Sequence, residues 1–252
     1  MVNNITVSFK VWKNSKDYVT RYKAENKGEK PSKVSVNGTN TPWKYWKDSY
    51  NRVIEFKRKN KKYPLTVRVT IPDPPKPLAD DGIVPVYHFN QQNVGKGYAE
   101  YCCGPTSALI CASAYDIVTP NNFLSKAYGL INACKTQIGS GTVPNNLVNG
   151  FNNYFTTIKM SPVDFTEANI QKYVKKNIPM LINARMSPNF GYRSFNGGHY
   201  MTITGYKNSK VGVSDPHGFN IGRGYRYYYT FNDIKKAVSN NGNRPLWVIT
   251  KR

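Results

Sequence analysis

A cysteine placed directly before a Gly-Pro pair is the first feature of this sequence that could do chemistry. The segment Tyr101-Cys-Cys-Gly-Pro-Thr-Ser107 puts Cys103 at the start of a predicted helix, which Pro105 opens. A helix N-terminus presents unpaired N–H groups and a positive dipole end, and both stabilise a thiolate. We therefore predict that Cys103 is a nucleophile whose own N–H can face an oxyanion, although an isolated cysteine is more often a core residue.

A histidine at the start of an apolar strand is the best candidate for a base. His199 lies in Gly197-Gly-His-Tyr-Met-Thr-Ile-Thr-Gly-Tyr206, where the two glycines leave room for a substrate backbone. The sequence has three histidines, and His88 and His217 lie in less regular surroundings. Context and elimination both favour His199, whereas a lone strand histidine is commonly structural.

An aspartate at the end of the next predicted strand supplies a third group. Asp215 follows Lys210-Val-Gly-Val-Ser214, and a hairpin with the preceding strand would set it beside His199. A carboxylate there can hold the tautomer of the imidazole and stabilise the imidazolium. The alternative is an ordinary turn, since Asp-Pro followed by glycine is typical of turns.

The elements that must position these residues are short helices followed by short strands. Helices are predicted over residues 104–115, 123–135 and 166–176, and strands over 180–184, 199–206, 210–214, 225–229 and 246–249. Helices first and strands later favour an α+β domain over a doubly wound sheet.

Composition predicts a folded and strongly basic protein. Aromatic residues make up 13% of the 252 residues, and the formal net charge is +22. Residues 1–72 contain 17 basic and five acidic residues, a net charge of +12, which leaves +10 for the other 180. Such a charge favours polyanionic partners, which include nucleic acid, an anionic membrane surface and an acidic wall polymer.

The remaining composition signals are negative. The four cysteines lie between residues 102 and 134 and form neither a secreted disulfide framework nor a pair of zinc knuckles. We expect no metal and no other cofactor. No apolar run of about 18 residues and no signal-peptide pattern is present, so we expect a product made in the cytoplasm, without membrane insertion. If it acts outside the cell, another route such as lysis must release it.

The N-terminal region contains an internal repeat of 34 residues. Residues 12–36 align with 46–69, with Trp12 on Trp46, Ser15 on Ser49 and Val19 on Val53 in the two copies. Each copy predicts an amphipathic helix, a turn with proline and a short strand. Duplicated basic units favour a polymer-binding module, and a helical pair that only packs is the alternative. Residues 73–82 are a proline-rich linker, so we predict a repeat domain over 1–72 and a second domain over 83–252.

The three motifs together resemble the C39-like branch of papain-fold cysteine peptidases. YCCGPTSA, GGHYMTITGY and VGVSDPHG occur in that order, with His199 96 positions after Cys103 and Asp215 16 positions after His199. The resemblance implies an α+β papain-like domain in which these three residues form the triad. It also implies an upstream glutamine in the oxyanion hole, for which the candidates are Gln92 and then Gln91. The adjacent Cys102 departs from the pattern and is an alternative nucleophile.

The N-terminal copies resemble something narrower, the pseudomurein-binding repeat. RVIEFKRKNKKYPLTVRV has that repeat's amphipathic helix, basic Lys-Asn turn, proline and valine-containing strand. A peptidase with such repeats is similar to the pseudomurein endoisopeptidases of viruses and proviruses of methanogenic archaea. The resemblance implies cleavage of the isopeptide bond between alanine and the lysine side-chain amine, followed by host lysis. The uronic acid of that wall would attract a basic protein.

Three alternatives remain at the level of sequence. A C39-like peptidase could act on another peptide or on bacterial peptidoglycan. A nucleic-acid-binding protein suits the charge, but the sequence has no zinc finger, RRM signature or helix-turn-helix pattern. A catalytically inactive wall-binding protein conflicts with the complete set of triad residues. We expect a monomer whose partner is the wall polymer, without nucleic acid.

Overall fold

The chain divides into two compact units, Met1–Pro74 and Pro75–Arg252. The structure, a computed structural model, describes residues 2–25, 31, 33–36, 39–72, 82–95, 97–192 and 195–252. The predicted linker over 73–82 lies outside the described residues, except for Gly82. No helix within the described ranges combines the length and apolar character needed to cross a membrane.

The N-terminal unit consists of two strand–helix–strand segments that exchange strands. The elements are β1 (Val2–Ser8), α1 (Phe9–Glu25), β2 (Lys33–Val36), β3 (Thr39–Pro42), α2 (Trp43–Asn60) and β4 (Thr66–Pro72). β1 pairs with β4 and β2 pairs with β3, both antiparallel. Each of these four strands therefore pairs with a strand of the other segment.

The core of this unit is built from equivalent residues of the two segments. The Trp12 and Trp46 rings stack with their planes 8° apart and their centroids 6.2 Å apart. Trp12 Nε1 donates to Ser49 Oγ at 3.0 Å, and Trp46 Nε1 donates to Ser15 Oγ at 2.9 Å. A buried indole N–H needs an acceptor, and here each segment supplies the acceptor of the other. Neither tryptophan is satisfied within its own copy.

The second unit is built on one antiparallel six-stranded sheet. Its helices are α3 (Cys103–Ser113), α4 (Phe123–Ala133), α5 (Pro144–Tyr154), α6 (Glu167–Lys175) and α7 (Phe231–Ser239). Its strands are β5 (Ile158–Val163), β6 (Met180–Arg185), β7 (Gly198–Lys207), β8 (Lys210–Ser214), β9 (Tyr227–Thr230) and β10 (Leu246–Lys251). The strand order is β5-β10-β6-β7-β8-β9.

Helix α3 is the central helix of this unit and is fixed to β7 by buried hydrogen bonds. Its residues from Gly104 onward are all buried, as expected of a helix that is apolar all round. Ser107 Oγ donates to the Tyr200 carbonyl at 3.0 Å, and Thr202 Oγ1 donates to the Ser107 carbonyl at 2.9 Å. These bonds set the start of α3 against the start of β7.

The predicted α+β class matches this mixture of helices and antiparallel sheet, and all eight predicted elements of the unit are present. Sequence reasoning missed α5, α7 and β5. The asparagine-rich sequence of α5 has low helix propensity, but burial of Leu147 and Phe151 stabilises it. β5 contains Pro162, which an edge strand tolerates.

Candidate active site

Cys103 is the first residue of α3, and its side chain is half-buried. A Cβ at Gly104 would lie 3.2 Å from the Tyr200 ring, so glycine allows the close approach of α3 to β7. Burial would raise the pKa of the Cys103 thiol. The charge of His199 and its hydrogen bond, together with backbone hydrogen bonds from Tyr200 and Gly104, outweigh burial and lower the pKa below its ordinary value. The thiolate is thereby favoured.

His199 and Asp215 meet at the ends of neighbouring strands. β7 pairs with β8, with Thr202 opposite Ser214, and Asp215 directly follows β8. His199 Nε2 and Asp215 Oδ1 are 2.7 Å apart, and both side chains are buried. Burial would lower the pKa of His199, but the carboxylate and the Cys103 thiolate raise it. Because Asp215 engages Nε2, the other ring nitrogen, Nδ1, is available to Cys103.

The Asp215 carboxylate is surrounded by hydrogen-bond donors. Oδ1 also accepts the His217 backbone N–H at 2.9 Å, and Oδ2 accepts the Tyr192 hydroxyl at 2.6 Å. Burial would raise the pKa of Asp215, but His199 first, then Tyr192 and the His217 N–H, hold it below its ordinary value. The group is therefore a buried carboxylate that stays ionised.

The adjacent cysteine has a different environment. Cys102 is fully buried, its thiol faces the Gln91 carbonyl at 3.8 Å, and Thr106 Oγ1 donates to its sulfur at 3.7 Å. Burial raises the pKa of Cys102 to about 12. A thiol in this state is a poor nucleophile, whereas Cys103 lines an open cavity.

The two candidate glutamines for the oxyanion hole, Gln91 and Gln92, also lie in different environments. Gln91 is buried, its backbone N–H donates to the Pro216 carbonyl at 2.9 Å, and it lines the same cavity as Cys103. Its Nε2 donates one hydrogen to the Ala99 carbonyl at 2.6 Å, which leaves a second hydrogen. The Gln92 amide instead donates to Glu100 Oε1 at 2.9 Å. The structure thus places Gln91 in the wall of the cavity that Cys103 lines, whereas the Gln92 amide is turned towards Glu100.

A cavity of about 660 Å³ surrounds this group. Its walls come from the loop before α3, the 139–144 loop, the start of β7 and the loop before β10. Gly198 lies close to Asn183 and Asn241, so the glycine pair before His199 borders amide side chains of the cavity wall. A volume of this size suits a short segment of peptide.

Within the described part of the chain, no three His, Cys, Asp or Glu side chains are grouped so as to hold a metal ion.

Comparison with known families decides the class of this unit. Residues 83–244 match the model of the Peptidase C39 like family, which covers more than half of the chain. The chain belongs to this family. C39 peptidases are cysteine peptidases. No curated protein matches the sequence.

The chain is also similar to solved structures of C39 peptidases, at low sequence identity. The peptidase domain of Streptococcus ComA, a bifunctional ABC transporter of quorum sensing, has a TM-score of 0.43 and 14% identity over 68% of this chain and 98% of its own. A C39-like peptidase from Bacillus anthracis has 0.46 and 14% over 69% and 99%. A double glycine motif protease of an AMS/PCAT transporter, solved with a leader peptide, has 0.42 and 15% over 71% and 99%. The family match, rather than these likenesses, assigns the chain.

Two residues near the centre of the C39-like unit escaped sequence reasoning. Tyr192 lies in the segment between β6 and β7, and no local pattern points to it. His217 lies outside every predicted element, yet its ring nitrogen Nε2 lies 3.0 Å from Glu100 Oε2, and its ring centroid lies 6.4 Å from that of His199. The only available signal was general, since a buried aspartate needs several donors.

Proposed function

We propose that the C39-like unit is a cysteine peptidase with Cys103 as nucleophile, His199 as general base and acid, and Asp215 as the orienting carboxylate. The observation that carries this proposal is the arrangement of His199 between the lowered-pKa thiol and a buried, ionised aspartate. This is the arrangement that activates a nucleophile through a base held by a third group.

The reaction is acyl transfer in two halves. The Cys103 thiolate attacks the amide carbonyl, and the electron pair of the C=O bond moves to oxygen. The Cys103 N–H, which has no acceptor within the first turn of α3, and the second Nε2 hydrogen of Gln91 are the donors for that oxyanion. Gln91 therefore takes the role for which the sequence favoured Gln92.

The tetrahedral intermediate collapses with a proton from the His199 imidazolium. The C–N bond breaks, the amine leaves protonated, and a thioester on Cys103 remains. His199, now neutral, accepts a proton from water, whose oxygen attacks the thioester, and the thiolate and a carboxylic acid result. Asp215 stays ionised throughout and stabilises the imidazolium.

For the substrate we propose the isopeptide bond between alanine and the lysine side-chain amine of pseudomurein, cut during lysis of a methanogen. The pattern of the N-terminal copies supports this, as does their net charge of +12. The end of α2 and the turn that follows it expose five cations, which are Lys57, Arg58, Lys59, Lys61 and Lys62. Exposed cations in series suit a polymer with a repeated uronic acid.

The test is digestion of purified pseudomurein sacculi and of bacterial peptidoglycan, with the new termini identified by mass spectrometry. Free lysine ε-amines and new alanine carboxyl termini are expected from pseudomurein alone. Cys103→Ala is expected to abolish release, and Cys102→Ala, the matched variant one residue away, is expected to retain most of it. Release of new termini from peptidoglycan, or cleavage of a linear control peptide without any release from pseudomurein, would refute the proposed substrate. Loss of activity in Cys102→Ala with retention in Cys103→Ala would refute the assigned nucleophile.

A further inference from the structure

The carboxylate of Asp215 can turn about its side-chain bonds unless both oxygens are held. Oδ1 accepts from His199 and from the His217 N–H, but Oδ2 has the Tyr192 hydroxyl as its partner, at 2.6 Å. Asp215 is 1% exposed, so water does not replace that partner freely.

We propose that Tyr192 is a positioning residue of the reaction, whose hydroxyl locks the Asp215 carboxylate in the orientation that engages His199. This inference rests on the proposed peptidase function of the same site. Tyr192 does not act on the substrate bond itself. It acts through Asp215, by keeping the carboxylate ionised and its Oδ1 in line with Nε2 of the imidazole.

The ring of Tyr192 adds a second contribution, which is packing over the charged pair. Its centroid lies 5.7 Å from that of His199, 5.9 Å from that of His217 and 6.0 Å from that of Phe195. Tyr192 lines the cavity together with His199, and the His199 and Asp215 side chains are both buried. Exclusion of water strengthens an interaction between charges.

Arg223 ties the Tyr192 segment to the Asp215 segment. Its Nη1 donates to the Asn189 carbonyl at 2.8 Å and to the Tyr229 hydroxyl at 3.0 Å. Its own carbonyl accepts the Asp215 N–H at 3.3 Å. The segment before β7 turns at Gly191, whose φ of +84° lies in the left-handed region that glycine tolerates. Arg223 therefore links the segment that carries Tyr192 to the backbone of Asp215, the residue whose carboxylate Tyr192 bonds.

The titratable and charged groups around Asp215 come from four directions. His199 on β7 and His217 in its own loop bond the carboxylate, and Cys103 of α3 lies beyond His199. Among the other described residues, Tyr229 on β9 and the Arg223 guanidinium, which bonds Tyr229, belong to the same surroundings. Without the Tyr192 hydroxyl, the carboxylate loses a donor to its charged form, so its protonation moves to higher pH.

The experiment compares wild type, Tyr192→Phe and Tyr206→Phe. The Tyr206 hydroxyl also donates to a carboxylate at 2.6 Å, that of Glu167, but it lies outside the cavity. Three quantities are measured against pH: kcat on a soluble isopeptide, KM on the same substrate, and the rate at which iodoacetamide alkylates Cys103. The alkylation rate reports the thiolate–imidazolium pair without any substrate.

For Tyr192→Phe we expect kcat to fall by about 10-fold to 100-fold, since a hydrogen bond to a charged group is lost, with little change in KM. The acid limb of both profiles should move up by about one pH unit. Tyr206→Phe should show neither effect. If Tyr192→Phe loses only thermal stability and keeps the wild-type pH profile and kcat, the positioning role is refuted.

A double-mutant cycle with Asp215→Asn provides the second check. Because Tyr192 acts through Asp215, the Tyr192→Phe substitution should have almost no further effect on Cys103 alkylation in the Asp215→Asn protein. Full additivity would overturn the inference. A wild-type protein whose Cys103 shows no reactivity below the ordinary thiol range would instead overturn the proposed function, so the two failures are distinguishable.

Discussion

The two units bury polar groups in opposite ways. In the N-terminal unit the buried polar side chains, Ser15 and Ser49, are neutral and pair reciprocally with tryptophans, and none of the described charged side chains is buried. In the C39-like unit a histidine and an aspartate are buried together, and one carboxylate collects three donors. Symmetric neutral pairs specify a fold, whereas an asymmetric buried charge pair beside a cavity indicates chemistry.

The largest test of this contrast is Asp215→Asn. The asparagine keeps the size of the side chain but presents a neutral amide to His199, so the imidazolium loses its counter-charge and the tautomer changes. We expect kcat to fall by about 10⁴-fold, as in other triads whose aspartate is replaced. Steady-state kinetics on a soluble isopeptide measure it. Unchanged kinetics would return Asp215 to the role of a turn residue.

A second test separates the units physically. Removal of residues 1–74 should leave hydrolysis of a soluble isopeptide near its wild-type rate, because the cavity lies within the other unit. Release from sacculi should fall by about 10²-fold, since avidity of that order is lost. Retention of residues 1–74 on sacculi should weaken at about 0.5 M salt, where the screening length is a few Å. Equal retention on pseudomurein, peptidoglycan and DNA would indicate nonspecific attraction of a cation.

A third test uses a half-buried titratable group, His88, away from the reaction. Desolvation first, and the charge of Arg226 second, lower the pKa of His88 to about 4, and its Nδ1 has no hydrogen-bond partner among the described residues. Between pH 6.5 and about 4 the unfolded chain binds a proton that the folded chain does not. Stability therefore falls as the pH falls through this window, by about 3 kcal/mol. Denaturant titration of His88→Gln should show a flatter pH dependence of stability than the wild type, and identical slopes would contradict a neutral His88 in the folded state.

The smallest expected effect belongs to the N-terminal unit. Ser49→Ala leaves the buried Trp12 N–H without its acceptor, so we expect the unit to lose about 2 kcal/mol of stability. Hydrolysis of a soluble isopeptide should not change. Thermal unfolding followed by tryptophan fluorescence measures the first effect, because Trp12 and Trp46 are both in the core of this unit. A loss of activity on that substrate would contradict the assignment of catalysis to the C39-like unit alone.

The sequence predicted the parts of the site that follow local rules. A Cys-Gly-Pro start, an apolar strand after Gly-Gly and a strand ending at Asp215 are each readable within ten residues, and the hairpin joins the last two. The choice between Gln91 and Gln92 depended on which side chain a short 3-10 turn directs inward, and no periodicity encodes that. Tyr192 was beyond reach for the same reason, because its partner is set by tertiary contacts.

Among the missed elements, α7 had a readable signal. Thr230 accepts the Asp233 N–H, and a threonine three residues before an acidic residue is a helix start signature. The aromatic strand directly before it concealed the boundary. For α5 and β5 the local sequence argued against the structure, and tertiary packing decided the outcome.

The exchange of strands in the N-terminal unit has a consequence for synthesis on the ribosome. β1 is translated before the other strands of this unit, but its only described partner is β4, with Val2 opposite Pro72. The unit therefore cannot close until its last strand has left the exit tunnel, and its pairing is dominated by contacts distant in sequence. Until then the nascent N-terminal unit, with its net charge of +12, lacks its core. The same exchange means that removal of one copy would leave strands of the other copy without their partners and one indole N–H without its acceptor.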